Sequence, residues 1–184
     1  MQFLFIFLLI VGFSINILSA STSLLIEKFG ERNGALLTVL FRDVLGIPVW
    51  AAGFCLAAVA PSADLLPRAP AIQIIGWILI AAGGAIIVAA LVTIRRRSLA
   101  PTARDALAET GLYARVRHPI HSGTFLEFAG LFLVRPSAAV GLACALGVVW
   151  LLLQTLFEER DLLQRIPSYR DYMQRVPRFF PRMG

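Results

Sequence analysis

Five apolar runs, separated by short polar segments, dominate the pattern of hydrophobic and polar positions along the chain. They cover residues 3–26, 34–60, 71–94, 119–134 and 137–157. A helix needs about 20 apolar residues to cross some 30 Å of hydrocarbon, so four of the runs are long enough to span a bilayer. The run 119–134 corresponds to only about 24 Å of helix, so it either spans barely or turns back as a hairpin with the last run.

Proline and serine positions predict where the helices begin and end. Residues 61–70 form a turn with proline at both ends. His118 should be extended, because a residue before proline avoids the helical region, and Pro119 should open the fourth helix. The fifth helix can continue until Pro167 stops it, and Ser168 then begins a capping box that opens a short C-terminal helix.

Composition agrees with a membrane location. Hydrophobic residues make up 58% of the chain and the mean hydropathy is +0.78, whereas soluble chains usually contain about 45–50% apolar residues. The sequence therefore predicts an all-α polytopic membrane protein with about five transmembrane helices and a short cytoplasmic C-terminal helix. It forms one domain over residues 1–184, with three helices in 1–94 and a more polar half in 95–184.

Basic residues decide the predicted orientation. They outnumber acids by 17 to 11 and cluster beside the apolar runs, which is typical of juxtamembrane anchoring and argues against a nucleic-acid partner. With the amino terminus outside, fourteen bases are cytoplasmic and two are external. We therefore expect an integral inner-membrane protein with a cytoplasmic C-terminus. The first run is expected to be retained, because a cleaved signal peptide would need a basic leader before it.

Two features inside the runs predict helix contacts. Ala81, Ala85 and Ala89 recur every four positions, so they should line a stripe where another helix approaches closely. The charges of Arg42 and Asp43 are costly at membrane depth, and such groups usually face a partner or a cavity. Being consecutive on a helix, the two are expected to face different neighbours.

The acid Glu127, in the fourth run, is a plausible partner for Arg42. Structural pairing and the lining of a substrate tunnel are both open for these charges. The cysteines Cys55 and Cys144 are expected to be small buried hydrophobes, and no metal cluster is predicted.

The segment 111–123 has the features of an anion site. Pro119 leaves the first-turn amides of a helix free, and these point with the positive end of the helix dipole toward the interface. The flanking donors are Arg115, Arg117, His118 and Ser122. A carboxylate or a phosphate is the expected ligand.

A second polar group lies about 40 residues later in the chain, where Glu158 and Glu159 end the last apolar run. The aromatic side chains near these two segments are Tyr113, Tyr169 and Tyr172. Anion donors, carboxylates and ring faces together are what a zwitterionic, sulfonium-bearing nucleoside would need.

These segments resemble the C-terminal half of the isoprenylcysteine carboxyl methyltransferase and phospholipid methyltransferase superfamily. The matching elements are residues 111–123, Gly130, Glu158-Glu159-Arg160, Tyr169, Tyr172 and Val176-Pro177. The resemblance implies a membrane-embedded methyltransferase that holds S-adenosylmethionine at the cytoplasmic ends of its last helices, in residues 95–184. The cofactor-binding residues that it implies are Tyr113, Arg117, His118, Pro119, Gly123, Glu158, Glu159, Tyr169 and Tyr172.

The chain departs from this superfamily at three positions. His121 stands where the superfamily usually has tyrosine, Pro167 replaces a glycine-containing turn, and Glu127 places an acid in a helix that is normally apolar. If the acceptor is an amine or a hydroxyl, its proton must be removed, and His118, His121 or Glu127 could serve as the catalytic base.

The predicted reaction is methyl transfer from S-adenosylmethionine to a lipophilic acceptor from the bilayer. The expected partners are that acceptor and the membrane lipids, with no obligate protein partner. Two alternatives stay open: a sterol-type reductase that uses NADPH and a related arginine-histidine-proline element, and a non-catalytic membrane adaptor on the same scaffold. The acceptor itself has no residue-level signature in the sequence.

Overall fold

The computed structural model describes residues 3–99 and 107–182, with the side chains of residues 95–99 excepted. In this part of the chain the regular structure is helical, as predicted. The helices are α1 (Leu4–Ser19), α2 (Thr22–Phe29), α3 (Glu31–Val39), α4 (Ile47–Val59), α5 (Pro70–Leu99), α6 (Pro119–Val134), α7 (Ala138–Arg165) and α8 (Tyr169–Arg175). A π-helical turn, Leu40–Gly46, joins α3 to α4, and a short 3-10 turn, Gly111–Ala114, precedes α6.

Three stretches of the described residues are long and apolar enough to cross a membrane by length and composition: Glu31–Val59, Pro70–Ile94 and Ala138–Arg165. The pair α1 and α2 would add a fourth if it forms one span. Side chains on the outside of the bundle are apolar, and Trp77, Val88 and Val149 are all more than half exposed. Such a surface suits lipid contact. Cys144 is buried as predicted, but the expectation for Cys55 was wrong, because it lies on this outer surface.

The first apolar run is not one straight helix, which corrects the prediction for residues 3–26. The chain bends by 67° between α1 and α2, where Ser21 leaves the helical region with φ −96° and ψ 51°. A contact with α7 accompanies the bend: both the backbone N–H and the hydroxyl of Ser23 donate to the Asp161 carboxylate, the former at 2.7 Å. Hydropathy does not encode this polar contact.

Helix α6 runs alongside α5 from one end of the bundle to the other. Its C-terminal turn lies against the loop before α5, because Leu65 N–H donates to Pro136 O at 2.7 Å and Ala138 N–H donates to Ala63 O at 2.8 Å. Its N-terminal end lies at the opposite end of α5, near Gly111. Pro119 opens α6 as predicted, and at 16 residues α6 is one of the shorter apolar helices.

Paired glycines allow α5 and α6 to make backbone contact. A Cβ added at Gly83 would lie 2.5 Å from Gly123 O, and one added at Gly76 would lie 2.7 Å from Gly130 O. The alanine stripe predicted for this role faces outward instead, since Ala81, Ala85 and Ala89 are exposed. That prediction was wrong because a small-residue repeat does not itself indicate which helix face has a partner.

An aromatic cluster joins α1, α4 and α7 near the middle of the bundle. Phe13 stacks on Trp150 with ring centroids 4.6 Å apart, and Phe54 stacks on Phe128 of α6 at 5.1 Å. Gly147 admits the Phe128 ring, because a Cβ there would lie 2.5 Å from it. These contacts hold the four helices around a cavity at one end of the bundle.

The glycine contact predicts different effects at two adjacent positions. Gly83→Ala should lower the free energy of unfolding by about 1–3 kcal/mol, because its methyl group would meet a backbone carbonyl that cannot move aside. Gly84→Ala is the matched control, since its nearest neighbour is Glu127 Oε1 at an ordinary 3.7 Å. Thermal unfolding in detergent compares the two, and an equal Tm for both variants would refute the packing role.

Candidate functional site

A cavity of about 600 Å³ lies between the helices and contains most of the residues that the sequence singled out. One end is lined by tyrosines of the 3-10 turn and α8, and the other by charged side chains of the π-helical turn and α6. Of the predicted cofactor residues, six line it: Tyr113, Arg117, His118, Glu158, Tyr169 and Tyr172. The predicted catalytic residues His121 and Glu127 line it as well.

Three predicted cofactor residues are not among the residues that line the cavity. Pro119 is fully buried at the start of α6, where it sets the position of His118. Gly123 packs against the Gly83 backbone on α5. Glu159 is 4% exposed and lies behind His118 and Arg117. These three residues shape the site from outside the cavity.

Glu159 is the centre of a buried ion cluster. Its carboxylate lies 3.0 Å from Arg117 Nη2, 2.6 Å from Arg178 Nη2 and 3.2 Å from His118 Nε2. Arg117 Nη1 also donates to the carbonyl oxygens of Met173 and Val176 at 2.9 and 2.6 Å. The cluster thus connects the segment before α6, the end of α7 and the C-terminal segment.

The predicted anion site is not assembled as an open site, because protein groups occupy most of its donors. The Arg117 guanidinium is engaged by Glu159, and the Ser122 hydroxyl donates to Phe179 O at 2.7 Å. The backbone N–H groups of Arg117 and His118 donate to Pro177 O and Arg178 O. Arg115 lines a separate surface pocket with Arg175 and Arg182. The C-terminal segment supplies the acceptors that the sequence assigned to a ligand.

His118 and His121 face each other at the start of α6. Their rings are stacked at 9° with centroids 5.3 Å apart, and Glu158 lies beside both, 3.5 Å from His118 Nδ1 and 3.9 Å from His121 Nε2. Burial lowers the pKa of His118, but hydrogen bonds to Glu158 and Glu159 and their charges outweigh burial and raise the pKa above 6.5.

The three tyrosines differ in how their hydroxyls are used. Burial, followed by the charges of nearby glutamates, raises the pKa of Tyr113 and Tyr169 above the ordinary value, and burial raises that of Tyr172 to about 12. The Tyr172 hydroxyl donates to Tyr113 O at 2.6 Å. The Tyr169 hydroxyl is buried and has no hydrogen-bond partner among the described residues. Tyr169 thus keeps a hydroxyl donor at the cavity wall that no described residue uses.

The deep end of the cavity carries three charged side chains. Arg42 and Asp43 form a two-pronged pair at 2.8 and 2.9 Å, so the expectation that neighbours in sequence must face different helices was wrong, because the long arginine side chain folds back. Glu127 makes no recorded hydrogen bond or ion pair within the described residues. Its predicted pairing with Arg42 is not observed, and all three side chains line the cavity.

Three polar residues of α7 belong to this site but were not predicted. Gln154 Nε2 donates to Glu158 Oε1 at 2.9 Å, Thr155 contacts His121 Nδ1 at 2.9 Å, and Asp161 lines the cavity beside α2. Gln154 precedes Glu158 by four residues, the spacing that places side chains on one helix face. That spacing was a usable signal, whereas the Thr155 contact depends on another helix.

Comparison with known proteins identifies one family. A family model described as phospholipid methyltransferase matches residues 71–170, which is more than half of the chain. The match covers nearly all of α5, α6 and α7. It therefore includes His118 and His121 as well as Glu158 and Glu159. No curated protein and no solved structure matches the chain.

The ion cluster predicts that the adjacent glutamates have different roles. Glu159→Gln should lower the free energy of unfolding by about 3–5 kcal/mol, because it leaves the buried Arg117 charge without its counter-ion. Glu158→Gln is the matched control: its side chain is 30% exposed and faces the cavity, so its Tm should stay near that of the wild type. Thermal unfolding of both variants in detergent tests this. A stable Glu159→Gln variant would contradict the role of the cluster.

Proposed function

The chain belongs to the phospholipid methyltransferase family, and we propose that it transfers the methyl group of S-adenosylmethionine to a lipophilic acceptor that enters from the bilayer. The observation that supports this most strongly is one cavity with two unlike ends. Tyrosines and Glu158 line the end near the C-terminal segment, and the other end reaches Glu127 among the apolar helices. A polar cofactor and a lipid acceptor need that combination.

The residues at the polar end fit S-adenosylmethionine. A cavity of about 600 Å³ is within the range of about 300–1,000 Å³ that is usual for small-molecule sites. Its Tyr169 hydroxyl and Gln154 Oε1 are buried without partners in the described residues, and both are available to a ligand. Asp161 offers acceptors for an ammonium group or ribose hydroxyls, and Glu158 lies at the cavity wall beside His118. When bound, S-adenosylmethionine supplies an activated methyl group.

We assign Arg117 and Glu159 a positioning role, although the resemblance implied direct cofactor contacts for both. Their charges are already paired and their remaining hydrogen bonds go to the C-terminal segment. Together they hold His118 and Glu158 at the cavity wall. Exclusion of water from this wall strengthens every electrostatic interaction with a bound ligand.

The charges at the deep end favour an amine or a hydroxyl acceptor over a carboxylate. Arg42 and Asp43 pair with each other, so an anionic acceptor would meet the Glu127 carboxyl, and two like charges in a poorly hydrated cavity repel strongly. Of the three predicted catalytic residues, Glu127 is the one without a partner in the described part of the chain. We assign Glu127 to receive the acceptor proton, while His118 and His121 border the same space.

The location proposed is the inner membrane with a cytoplasmic C-terminus. The start of α6 and the end of α7 meet in the ion cluster, so the described residues just before α6 and just after α7 lie at one end of the bundle. Fourteen of seventeen bases then lie on the cytoplasmic side. S-adenosylmethionine would reach the cavity from that side.

Cofactor binding can be tested at Tyr169. Tyr169→Phe should weaken binding of S-adenosylhomocysteine about two- to tenfold, which is the effect of one neutral hydrogen bond. Tyr172→Phe is the control: its hydroxyl bonds within the protein, so the change should lower the Tm by more than Tyr169→Phe does. Calorimetry on detergent-purified protein measures the affinities. Stabilisation by NADPH but not by S-adenosylhomocysteine would instead indicate the reductase.

The acceptor side can be tested at Glu127. Glu127→Gln should slow transfer of a labelled methyl group into lipid extract by about 10²–10⁴-fold, because a positioned general base contributes that much. Its affinity for S-adenosylhomocysteine should be unchanged. Glu27→Gln, the same change at an exposed position, is the control. Full activity of Glu127→Gln would exclude it as the base.

A further inference from the structure

Three potential metal ligands converge at the wall of the cavity: His118, His121 and Glu158. One ligand atom from each lies within 4.8 Å of the others. The Glu158 carboxylate is 3.5 Å from His118 Nδ1 and 3.9 Å from His121 Nε2. In a tetrahedral zinc site with bonds of about 2.0–2.2 Å, ligand atoms are about 3.3–3.6 Å apart. The two distances to Glu158 are close to this value, and the stacked imidazole rings would have to tilt toward each other for both lone pairs to point at one ion.

The outer nitrogen of each histidine is already hydrogen-bonded, and this determines where the protons lie. Thr155 donates its hydroxyl proton to Leu151 O at 2.7 Å, so it accepts from His121, whose Nδ1 carries the proton. The Glu159 carboxylate can only accept, so His118 Nε2 carries the other proton. In neutral rings the inner nitrogens, His118 Nδ1 and His121 Nε2, then present lone pairs.

Both lone pairs lie beside the same carboxylate, so three acceptors face one another. Such a cluster needs a shared cation, either a proton on His118 or a metal ion. The Glu158 carboxylate is also held from outside, because Gln154 Nε2 donates to it at 2.9 Å. Each of the three side chains is therefore hydrogen-bonded to a further residue: His118 to Glu159, His121 to Thr155 and Glu158 to Gln154. The Glu159–His118 pair is the carboxylate–histidine arrangement common at metal sites.

We propose that His118, His121 and Glu158 bind one divalent transition-metal ion, Zn²⁺ by ligand type, with an open position toward the cavity. Two imidazoles and one carboxylate form the ligand set of open catalytic zinc sites. The site goes beyond methyl transfer, which does not itself require a metal. The ion would bind an oxygen of the acceptor at its open position and would replace the proton on His118.

The chain suits a direct test because His118 and His121 are its only two histidines. The full-length protein is purified in detergent through a tag without histidine, stripped with a chelator and dialysed against ZnCl₂ or CoCl₂. We expect one ion per chain by mass spectrometry and a visible Co²⁺ absorption band. No bound metal, or no such band, would overturn the proposal.

Variants then identify the ligands. His121→Tyr, which restores the residue usual in the superfamily, and Glu158→Gln should each abolish the Co²⁺ band. Thr155→Val should weaken metal binding about 10–100-fold, because it removes only the outer partner of His121. Glu127→Gln and a Cys55→Ala/Cys144→Ala double variant are the controls and should keep one ion. Metal that persists in both His121→Tyr and Glu158→Gln would place it elsewhere and refute this site.

The metal test is independent of the proposed methyl transfer. Circular dichroism and Tm show whether each variant is folded, and His121→Tyr provides a readout even if Glu158→Gln fails to fold. Calorimetry with S-adenosylhomocysteine on metal-depleted protein reports the cofactor site alone. If the protein binds S-adenosylhomocysteine but takes up no stoichiometric ion on dialysis against ZnCl₂, the metal site is refuted and the methyltransferase proposal stands. If it takes up one ion but does not bind S-adenosylhomocysteine, the methyltransferase proposal is refuted and the metal site stands.

Discussion

The buried Glu159 carboxylate is the interaction on which the site depends. A carboxylate at 4% exposure is unfavourable unless charges and donors surround it, and Arg117, Arg178 and His118 do so. These three partners come from segments on both sides of α7 in the sequence. Satisfying one carboxylate therefore requires the start of α6, the end of α7 and the C-terminal segment to meet at one place.

The position of Glu159 also fixes where the preceding residue, Glu158, lies. Consecutive helix positions are about 100° apart, so while Glu159 lies at the centre of the ion cluster, Glu158 lies to one side of it, 3.5 Å from His118 Nδ1, and lines the cavity. One acid organises the site and its neighbour is available to a ligand. The Glu158–Glu159 pair therefore combines two roles that the sequence pattern alone does not separate.

Most helices could be predicted from hydropathy because their apolar residues meet lipid and their ends carry proline. What could not be predicted depends on contacts between distant segments. The bend after Ala20 coincides with a bond between Ser23 and Asp161, 138 residues away. The open anion site was expected because Arg117 is next to a helix start, and no sequence pattern shows that the carbonyls of Met173 and Val176 occupy its guanidinium.

The motif residues, by contrast, were predictable in position but not in role. His118 and Glu158 do line the cavity, whereas Gly123 contacts the Gly83 backbone. A sequence motif records which residues must be present together. It does not distinguish a residue that touches a ligand from one that allows two helices to approach.

The π-helical turn shows how charge is accommodated at depth in an apolar bundle. Gly46 lies against Asn16 of α1, where an added Cβ would be 2.9 Å from the Asn16 Cβ, and Asn16 Nδ2 donates to Arg42 O at 3.4 Å. In the π-turn, Arg42 O accepts the Ile47 N–H five residues on, so Asn16 is a second donor to that oxygen. The same turn carries Arg42 and Asp43, which pair with each other and are only partly buried. Glu127, which has no partner among the described residues, also lines the cavity, where an acceptor rather than lipid would meet it.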